Sequence, residues 1–499
     1  MLSFLIRFQK IFIFLLLISG SYIGFFYHLT SHPLLMWDEA RCAVNAYEWI
    51  HKTGNWFVIT YKGEQDLWNL KPPLFIWLLG GSIKLLGVNL LSFRLVSAFA
   101  GVITTWFVYS FVSKTIECKW AAIAAGFVLM TSIGYVGFHV TRTADYDSLL
   151  VLFLSACAFL FFHYVESSEK GKRKLNLYGS VFFFLCAFMT KSAAAFLIIP
   201  GIFVYVILSG KLKKTFLNFN FWIASAVIIA SVTGYYMMME KIHPGYFQYV
   251  KANEFSGRYL STLENHGQPW KYYIINLLNG RLTPWIFLLP VCIVISLLSR
   301  NVAIRNIAVF SNSVMITFLV VISAAGTKME WYDAPLYPFA AISTAVGLNE
   351  IRKIILDTYR EKIKRRYLAS ALGLMIVFIF PFRQLIGYAE DAPKHIWRTH
   401  QVEAGGYLEN YFEYHPGLHS VTVLNKGYNP HLDFYIEKFA DAGIEIVECD
   451  PTSTTIPDGT TVISSCRDYE NSLAENYLLR DTTENGPCRS VLIVSKYSK

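Results

Sequence analysis

Charged residues are scarce in this chain of 499 residues, where Asp, Glu, Lys and Arg together make up only 16%. Hydrophobic residues make up 54% and aromatic residues 16%, which is not the balance of a soluble protein. Runs with almost no charge recur along the chain and have the length that a membrane-spanning helix needs. The composition therefore predicts an α-helical protein with about 11 to 13 membrane spans. The runs are 11–29, 93–113, 120–138, 146–165, 177–190, 192–209, 216–239, 284–298, 307–326, 333–349 and 367–382.

Paired cysteines and internal repeats are also lacking. The eight cysteines show no metal-type spacing, and Cys449, Cys466 and Cys488 share one polar segment in which at most one disulfide is expected. The missing repeat argues mildly against a transporter built from inverted repeats. The first hydrophobic run has no small-residue cleavage site, so we interpret it as a retained anchor.

The net charge of +9 could indicate a nucleic-acid partner, but the distribution of Lys and Arg indicates membrane topology instead. With a cytoplasmic amino terminus, basic residues concentrate in the short segments that face the cytoplasm, as the positive-inside rule requires. These segments are 1–10, 114–119, 166–176, 210–214, 299–306 and 350–366. We therefore predict no nucleic-acid partner and a multi-pass protein of the inner (plasma) membrane.

The same topology places the first loop, 30–92, on the outer face. It contains a polar island with Trp37-Asp38-Glu39-Ala40-Arg41 at one end and Lys71-Pro72-Pro73 at the other. Asp38 suits a helix start and Gly54 can end a helix, so 38–52 is predicted as a short helix at the membrane surface, with Asp38 and Arg41 on one face. The apolar stretch 74–86 is too short to span and is predicted as a second interfacial helix.

Further polar clusters fall on the same face. Asp145 and Asp147 lie at the start of the fourth span, and Lys191 lies in the turn between the fifth and sixth. Arg258 and His266 belong to the loop 240–283, and Tyr332 to the turn before the tenth span. If the chain merely tolerated polar residues at random positions, some of these clusters would lie on the cytoplasmic side or in the middle of a span. Their location on one side of the membrane is therefore the best indication of a functional site.

From about residue 386 the composition becomes that of a soluble domain. Segments 420–424, 444–448, 461–464 and 490–495 have strand character, and 431–442 has helical character. We predict a multispanning domain, 1–385, with its catalytic loop 30–92, followed by a small α/β domain, 386–499, on the extracytoplasmic side.

The chemistry that fits these residues is glycosyl transfer from a lipid-linked sugar phosphate. The leaving phosphate is weakly basic, so one carboxylate that deprotonates the acceptor suffices, and cations stabilise the departing charge. Asp38 is the predicted catalytic base. The predicted contacts to the donor phosphate and sugar are Glu39, Arg41, Lys71, Asp145, Lys191, Arg258, His266 and Tyr332.

Plainer interpretations remain open for each residue. Asp38 and Glu39 could be no more than helix-start charges, and Lys71 and Lys191 could be snorkelling side chains. Two other classes of protein also remain. A lipid or solute transporter would place ionisable groups near the bilayer midplane. A non-catalytic glycan-binding or assembly protein would use the same loop without depending on one carboxylate.

A set of motifs, in order over about residues 30–345, resembles a known family. The motifs are Trp37-Asp38-Glu39-Ala40-Arg41, Asn69-Leu70-Lys71-Pro72-Pro73-Leu74, Arg94 with Ser97-Ala98 and Gly101, Thr190-Lys191, Asn265-His266-Gly267-Gln268-Pro269-Trp270, and Trp331-Tyr332 with Pro335-Leu336-Tyr337-Pro338. They resemble the family of the 4-amino-4-deoxy-L-arabinose lipid A transferase and the dolichyl-phosphate-mannose protein mannosyltransferases.

This resemblance implies the multispanning GT-C glycosyltransferase fold, a polyprenyl-phosphate sugar donor and an inverting reaction. It also implies that Asp38 is the catalytic carboxylate and that Lys71, Asp145 and Lys191 belong to the donor site. His266 matches a histidine that can bind a divalent metal in the family. The expected partners are the donor, membrane lipids and an acceptor, which could be lipid A, a glycan or a protein. The sequence does not identify the sugar.

Two positions depart from the family pattern. Cys42 stands where the family has a tyrosine, and Leu70 stands where the arabinose transferase has the glutamate that partners its metal-binding histidine. One imidazole does not make a tight metal site. We therefore identify no cofactor from the sequence and expect activity without a tightly bound metal.

Overall fold

The computed structural model describes most of the membrane part and much of the C-terminal part. The described residues are 17–35, 37–52, 54–262, 266–358, 379–390, 407–408, 411–412, 417, 419–425, 427–450, 452, 455–464, 471, 473–481 and 489–496. Residues 11–16 and 367–378 of two predicted spans, together with Cys466 and Cys488, lie outside this set.

Helices dominate the first 358 residues. The helices are α1 (Leu17–Phe26), α2 (Asp38–His51), α3 (Leu74–Leu86), α4 (Leu90–Ile116), α5 (Lys119–Met130), α6 (Ile133–Val136), α7 (Tyr146–Glu166), α8 (Lys170–Lys191), α9 (Ile199–Leu208), α10 (Leu212–Phe216), α11 (Phe219–Ile242), α12 (Tyr246–Val250), α13 (Tyr272–Asn276), α14 (Trp285–Leu297), α15 (Val302–Ala324) and α16 (Tyr337–Thr358). Short 3₁₀ or π segments, Ser192–Ile198, Lys251–Leu260, Leu277–Arg281 and Glu330–Leu336, join some of them, and residues 379–390 are helical.

The membrane character predicted from the composition is confirmed. Within the described residues, five helical stretches are long and apolar enough to cross a membrane, and a sixth is a broken pair bent by 111°. The five stretches are Leu90–Ile116, Tyr146–Glu166, Lys170–Leu208, Phe219–Ile242 and Val302–Ala324. Apolar helices α1, α3 and α5 are shorter.

The stretch 170–208 folds back on itself and is two spans, as the sequence predicted. Lys191, at the end of α8, contacts Asp147 at the start of α7, whereas Lys211, just after α9, contacts Glu166 at the end of α7. The chain therefore reverses direction at Ser192, whose φ of 46° lies outside the range of a right-handed helix.

The two ends of α7 carry different polar clusters. A helix of 21 residues is about 30 Å long, so its ends can lie at opposite membrane surfaces. At one end Asp147 pairs with Lys191; at the other Glu166 accepts hydrogen bonds from Tyr205, Lys211 and Asn306. The predicted site residues belong to the first end.

The loop 30–92 is compact. The predicted surface helix is observed as α2, and 74–86 is observed as α3 with the predicted bounds. Between them lies a small antiparallel hairpin, β1 (Thr60–Tyr61) and β2 (Glu64–Gln65). Glycine 80 lets α3 pack closely on α2, because a Cβ there would lie 2.7 Å from the Trp49 ring.

The C-terminal part contains a five-stranded sheet and one long helix. The strands are β3 (Ser420–Leu424), β4 (Glu445–Cys449), β5 (Thr461–Ser464), β6 (Tyr477–Asp481) and β7 (Arg489–Lys496), and the helix is α17 (Pro430–Asp441). The order is β4-β3-β5-β7-β6, with β4, β3 and β5 parallel and the other pairs antiparallel. The sequence predicted this α/β element except for β6.

The C-terminal domain packs on the loop 30–92. One hydrophobic core contains residues of α2, α3 and α17, and Phe434 of α17 makes edge contacts with Tyr47 and Phe93. The helix α2, which begins with the predicted catalytic carboxylate, is therefore held between the membrane bundle and the C-terminal domain.

Candidate active site

Asp38 is the first residue of α2 and remains accessible. Its side chain is 50% exposed, whereas the neighbouring side chains of His139 and Asp145 are 12% and 5% exposed. The preceding Trp37 has a φ of 74°, a conformation that large side chains rarely adopt and that is concentrated at functional sites. The observed helix start agrees with the sequence prediction, but the Asp38 side chain does not cap the helix.

Positive groups surround the Asp38 carboxylate. Partial burial raises the pKa of Asp38, but nearby positive charges more than offset this effect, so the pKa lies below its usual value. These charges, in decreasing order of effect, are His139, Lys71, Lys191 and Arg258. Asp38 is therefore ionised at physiological pH and sits in a cluster of cations.

His139 is the residue of this cluster that the sequence analysis missed. Its Nδ1 lies 3.0 Å from the Asp145 carboxylate and 3.8 Å from the Asp38 carboxylate, and its ring stacks on Trp331 at 3.8 Å. Burial lowers the pKa of His139, but the hydrogen bond to Asp145 and the nearby carboxylates raise it above its ordinary value. The signal in the sequence was a histidine six residues before Asp145 in a polar turn between two spans.

Four predicted donor-site residues line one cavity. Lys71, Lys191, Arg258 and Tyr332 come from four separate segments and surround a space of about 640 Å³, including its opening to solvent. The carboxylates of Asp147 and Glu254 lie among these cations. The rest of the lining is mostly apolar and comes mainly from α7, Ser192–Ile198 and α15; it includes Leu150, Leu197, Phe318 and Ile322. The cavity thus joins a cationic end to an apolar end.

The cations of the cavity are held in place by partners. Lys191 Nζ lies 2.5 Å from Asp147 Oδ2 and 5.2 Å from the centre of the Tyr332 ring. Arg258 donates to the Tyr332 hydroxyl. Lys71 Nζ donates to Asn69 Oδ1 over 3.2 Å. These contacts fix the positive groups and leave them in the cavity wall, where an anion can meet them.

Glu39 lies elsewhere than the sequence prediction implied. It is 1% exposed and accepts two bonds from Arg94, at 2.7 and 2.8 Å, and one each from the backbone N–H groups of Leu35 and Ala144. Arg94 in turn donates to three backbone carbonyls. These four hydrogen bonds occupy the Glu39 carboxylate, which leaves no acceptor position for a hydroxyl group of the sugar donor. Glu39 therefore holds the loop in place and does not line the cavity.

Arg41 is also placed differently from expectation. It makes a bidentate ion pair with Asp66, at 2.8 and 2.7 Å, and its third bond goes to the Tyr428 hydroxyl of the C-terminal domain at 2.5 Å. Arg41 does not line the cationic cavity formed by the described residues. The carboxylate of Asp66 balances its charge locally.

The position of His266 is defined by its backbone. Its carbonyl accepts from the N–H of Lys328 at 3.0 Å, and the next residue pairs with Thr327. Leu70, at the position of the missing glutamate, is 1% exposed and packs in the hydrophobic core of the helical domain. A metal-binding role of His266 stays a prediction.

Another group of side chains could hold a divalent ion. In the described part of the chain, one carboxylate oxygen each of Asp38 and Asp145 and one ring nitrogen of His139 lie within 4.8 Å of one another. Two oxygens and one nitrogen suit several divalent metals. His139 Nδ1 already lies 3.0 Å from the Asp145 carboxylate. The three side chains can therefore also interact directly with one another, without a metal ion.

Fold and site together define the class of this protein. It is an α-helical, polytopic integral membrane protein with a small C-terminal α/β domain. At one end of its helices a carboxylate and a cationic cavity lie next to each other.

Comparisons with known proteins agree with this class. The family described as dolichyl-phosphate-mannose-protein mannosyltransferase matches residues 70–236. An undecaprenyl phosphate-alpha-4-amino-4-deoxy-L-arabinose arabinosyl transferase of Pseudomonas savastanoi is 25% identical over 261 residues, 52% of this chain and 47% of that protein. An uncharacterized protein of Aquifex aeolicus is 23% identical over 384 residues, 74% of this chain and 73% of that protein.

Solved structures show the same architecture. ArnT from Cupriavidus metallidurans, bound to undecaprenyl phosphate, superposes with a TM-score of 0.69 at 14% identity, covering 96% of this chain and 97% of that chain. The archaeal oligosaccharyltransferase AglB from Archaeoglobus fulgidus gives a TM-score of 0.51 at 11% identity, covering 92% of this chain and 70% of that chain. The resemblance to the arabinose transferase and mannosyltransferase family is thereby confirmed, and the fold is of the GT-C type.

Proposed function

We propose that this protein is an inverting glycosyltransferase that moves a sugar from a polyprenyl-phosphate donor to an acceptor at the extracytoplasmic face of the membrane. The named relatives are undecaprenyl-phosphate aminoarabinose transferases, and the solved ArnT structure contains undecaprenyl phosphate. Both support a polyprenyl-phosphate donor. Identities of 23–25% do not carry the sugar or the acceptor over to this chain.

One observation carries the proposal: a half-exposed carboxylate stands beside a cavity that is cationic at one end and apolar at the other. The cations Lys71, Lys191 and Arg258 suit a phosphate. The apolar end, between α7 and α15, suits a polyprenyl chain. An amphipathic donor therefore fits with its phosphate next to Asp38 and its tail among the spans.

The reaction is a single displacement at the anomeric carbon. Asp38 takes the proton from the acceptor hydroxyl, and the acceptor oxygen forms a bond to the anomeric carbon. The bond between that carbon and the phosphate oxygen breaks, and its electron pair leaves with the polyprenyl phosphate. The second pKa of a phosphate ester is about 6, so the leaving group needs no proton. The cations stabilise its added charge.

The structure of the site also favours an enzyme over a transporter. The ionisable groups lie at one end of α7, near a membrane surface, whereas a transporter would place them near the midplane. A non-catalytic binding protein would need the cavity but not Asp38. These alternatives make different predictions for a single substitution at Asp38.

The proposal is tested by mass spectrometry of glycolipids, glycans and glycoproteins from cells with and without the protein. We expect one class of sugar-bearing product to disappear with the protein and to return with the wild type but not with Asp38→Asn. Full restoration by Asp38→Asn would support a binding protein. An unchanged set of products in cells without the protein would contradict the proposal.

A further inference from the structure

Arg41 is enclosed by two tyrosines from distant parts of the chain. Its guanidinium carbon lies 4.5 Å from the centre of the Tyr61 ring and 5.5 Å from the centre of the Tyr428 ring. The two rings are 6.3 Å apart. Tyr61 belongs to the hairpin of the loop 30–92, and Tyr428 lies between β3 and α17 of the C-terminal domain. Both domains therefore build this arrangement.

Contacts around the tyrosines fix the two domains together. Asp433 of α17 accepts from the Tyr61 hydroxyl and pairs with Lys62 at 2.5 Å. Tyr47 donates to Asp441 at 2.5 Å. These contacts hold the C-terminal domain against the hairpin and α2, and Arg41 of α2 reaches Tyr428 of that domain directly.

The aromatic surface at this point is open to solvent. Tyr428 is 45% exposed and Trp68 is 49% exposed. The backbone N–H of Trp68 donates to Asp66, the partner of Arg41, over 3.0 Å. We call Arg41, Tyr61 and Tyr428 the aromatic platform.

The platform lies next to Asp38 but outside the cationic cavity. Arg41 follows Asp38 by three residues on α2, which places both on one face of the helix. Burial raises the pKa of Tyr428, and the charge of Asp38 adds a smaller rise. Among the described residues, none of the three platform residues lines the cavity of Lys71, Lys191 and Arg258.

We propose that the aromatic platform is the acceptor subsite and that it binds a saccharide ring of the acceptor. This inference rests on the proposed glycosyl transfer, in which the acceptor must reach Asp38 while the donor phosphate occupies the cationic cavity.

The chemistry of the platform suits a saccharide. A sugar presents an apolar face of C–H groups, which packs on an aromatic ring, and a rim of hydroxyl groups, which need hydrogen-bond partners. Arg41 has five N–H donors, and its contacts with described residues use three of them. Because Asp66 balances the charge of Arg41, the platform favours hydroxyl groups over a second phosphate.

The shared chemistry is a saccharide ring, whether a glycolipid or a free glycan carries it. A protein acceptor would instead present a peptide hydroxyl and would not need the platform. The test therefore offers three acceptor fractions from membranes of cells lacking the protein: total lipid extract, water-soluble glycans and protein. The donor is the polyprenyl-phosphate sugar fraction of the same cells, at a saturating amount.

The purified full-length protein is compared with Tyr428→Ala and Tyr428→Phe. For Tyr428→Ala, the half-saturating amount of the glycolipid or glycan fraction should rise about 10-fold, the equivalent of about 1.4 kcal/mol. Tyr428→Phe keeps the ring and loses only the bond to Arg41, so its rise should be smaller, about 2- to 5-fold. Binding of undecaprenyl phosphate, the probe of the donor site, should be unchanged in both.

Leu478→Ala is the matched control, because Leu478 is a 47% exposed side chain on β6 of the same domain and its loss should change neither value. An unchanged half-saturating amount in Tyr428→Ala would overturn the inference. A loss of undecaprenyl phosphate binding in Tyr428→Ala as large as the change in the half-saturating amount would show a structural role and would also overturn it. Transfer by the wild type to the protein fraction alone would overturn it too. If Tyr428→Ala does not fold, Tyr428→Leu, which also removes the ring, takes its place, and an unchanged half-saturating amount in that variant overturns the inference. A wild type that transfers to no fraction refutes the proposed function as well.

Discussion

Arg94 of α4 and Glu39 of α2 form a buried ion pair, with Nε 2.7 Å from Oε1 and Nη2 2.8 Å from Oε2. The two side chains are 0% and 1% exposed. The pair joins the first long span to the helix that carries Asp38. The carboxylate next to the predicted base is thus an anchor of the active-site loop.

Loss of this anchor should destabilise the protein. In Glu39→Gln the Arg94 charge is left buried without its partner, which typically costs about 3–5 kcal/mol. We expect a clear fall in melting temperature in detergent. Glu169→Gln removes the carboxylate of an exposed pair with Lys172 and should leave the melting temperature unchanged. Equal melting temperatures for wild type and Glu39→Gln would contradict the structural role of the pair.

The contact between α2 and α17 should depend on pH. Burial and the neighbouring Glu48 carboxylate raise the pKa of Glu437 to about 7, against the opposing effect of Lys52. A carboxyl whose pKa is raised on folding stabilises the fold when protonated, so this contribution is lost as pH rises from about 4.5 to 7.

Glu437→Gln mimics the protonated form and should raise the melting temperature at pH 8, by about 2–4 °C. At pH 5 it should have little effect. The exposed Glu445→Gln on β4 serves as the control. A gain at pH 5 equal to that at pH 8 would rule out titration of Glu437 as the cause.

Chelation separates the two interpretations of the Asp38, His139 and Asp145 group. Positive charge is already supplied by lysine and arginine side chains, and Leu70 offers no ligand, so we expect transfer to continue with a strong chelator. If activity is instead lost and restored by a divalent ion, the three-residue group becomes the candidate metal site. His139→Ala should then weaken metal binding, measured by metal content after dialysis.

The side of the membrane can be tested by labelling. We expect an impermeant thiol reagent to label Glu64→Cys in intact cells, because this exposed residue lies in the loop 30–92. Lys170→Cys, at the start of α8, should react only after permeabilisation. Both variants use a background without other reactive cysteines. The reverse pattern would place the site on the cytoplasmic face and contradict the proposed orientation.

Local patterns were enough to predict much of this structure. The bounds of α3, β3 and β5 follow from turn residues and hydrophobic runs. The positive-inside pattern brought Lys71, Lys191 and Arg258 to one side of the membrane, and the structure places them around one cavity. For α3, β3 and β5 the controlling signal lies within a few residues of its effect, whereas the positive-inside pattern needs only the composition of each loop.

Pairing between distant residues could not be predicted. Glu39 and Arg94 are 55 residues apart, and Arg41 and Tyr428 are 387 residues apart. No local pattern shows that the charges of Glu39 and Arg41 are used within the protein, so both were assigned to the donor. His139 was missed because its role depends on Asp38, which only tertiary packing brings near.

The central claim is that Asp38 is the catalytic base. Asp38→Asn keeps the shape of the side chain and removes its ability to accept a proton. Binding of undecaprenyl phosphate should be unchanged or tighter, because a negative charge near the phosphate is lost. Lys71→Ala is the contrasting variant: it removes a cation of the cavity and should weaken undecaprenyl phosphate binding about 10- to 100-fold.

The most direct measurement is the rate of sugar transfer by purified, membrane-inserted Asp38→Asn beside the wild type, with undecaprenyl phosphate binding measured on the same samples. The proposed mechanism predicts that transfer falls about 10²- to 10⁴-fold while binding is retained. Transfer at nearly the wild-type rate would contradict it and would direct the search for the base to Asp145.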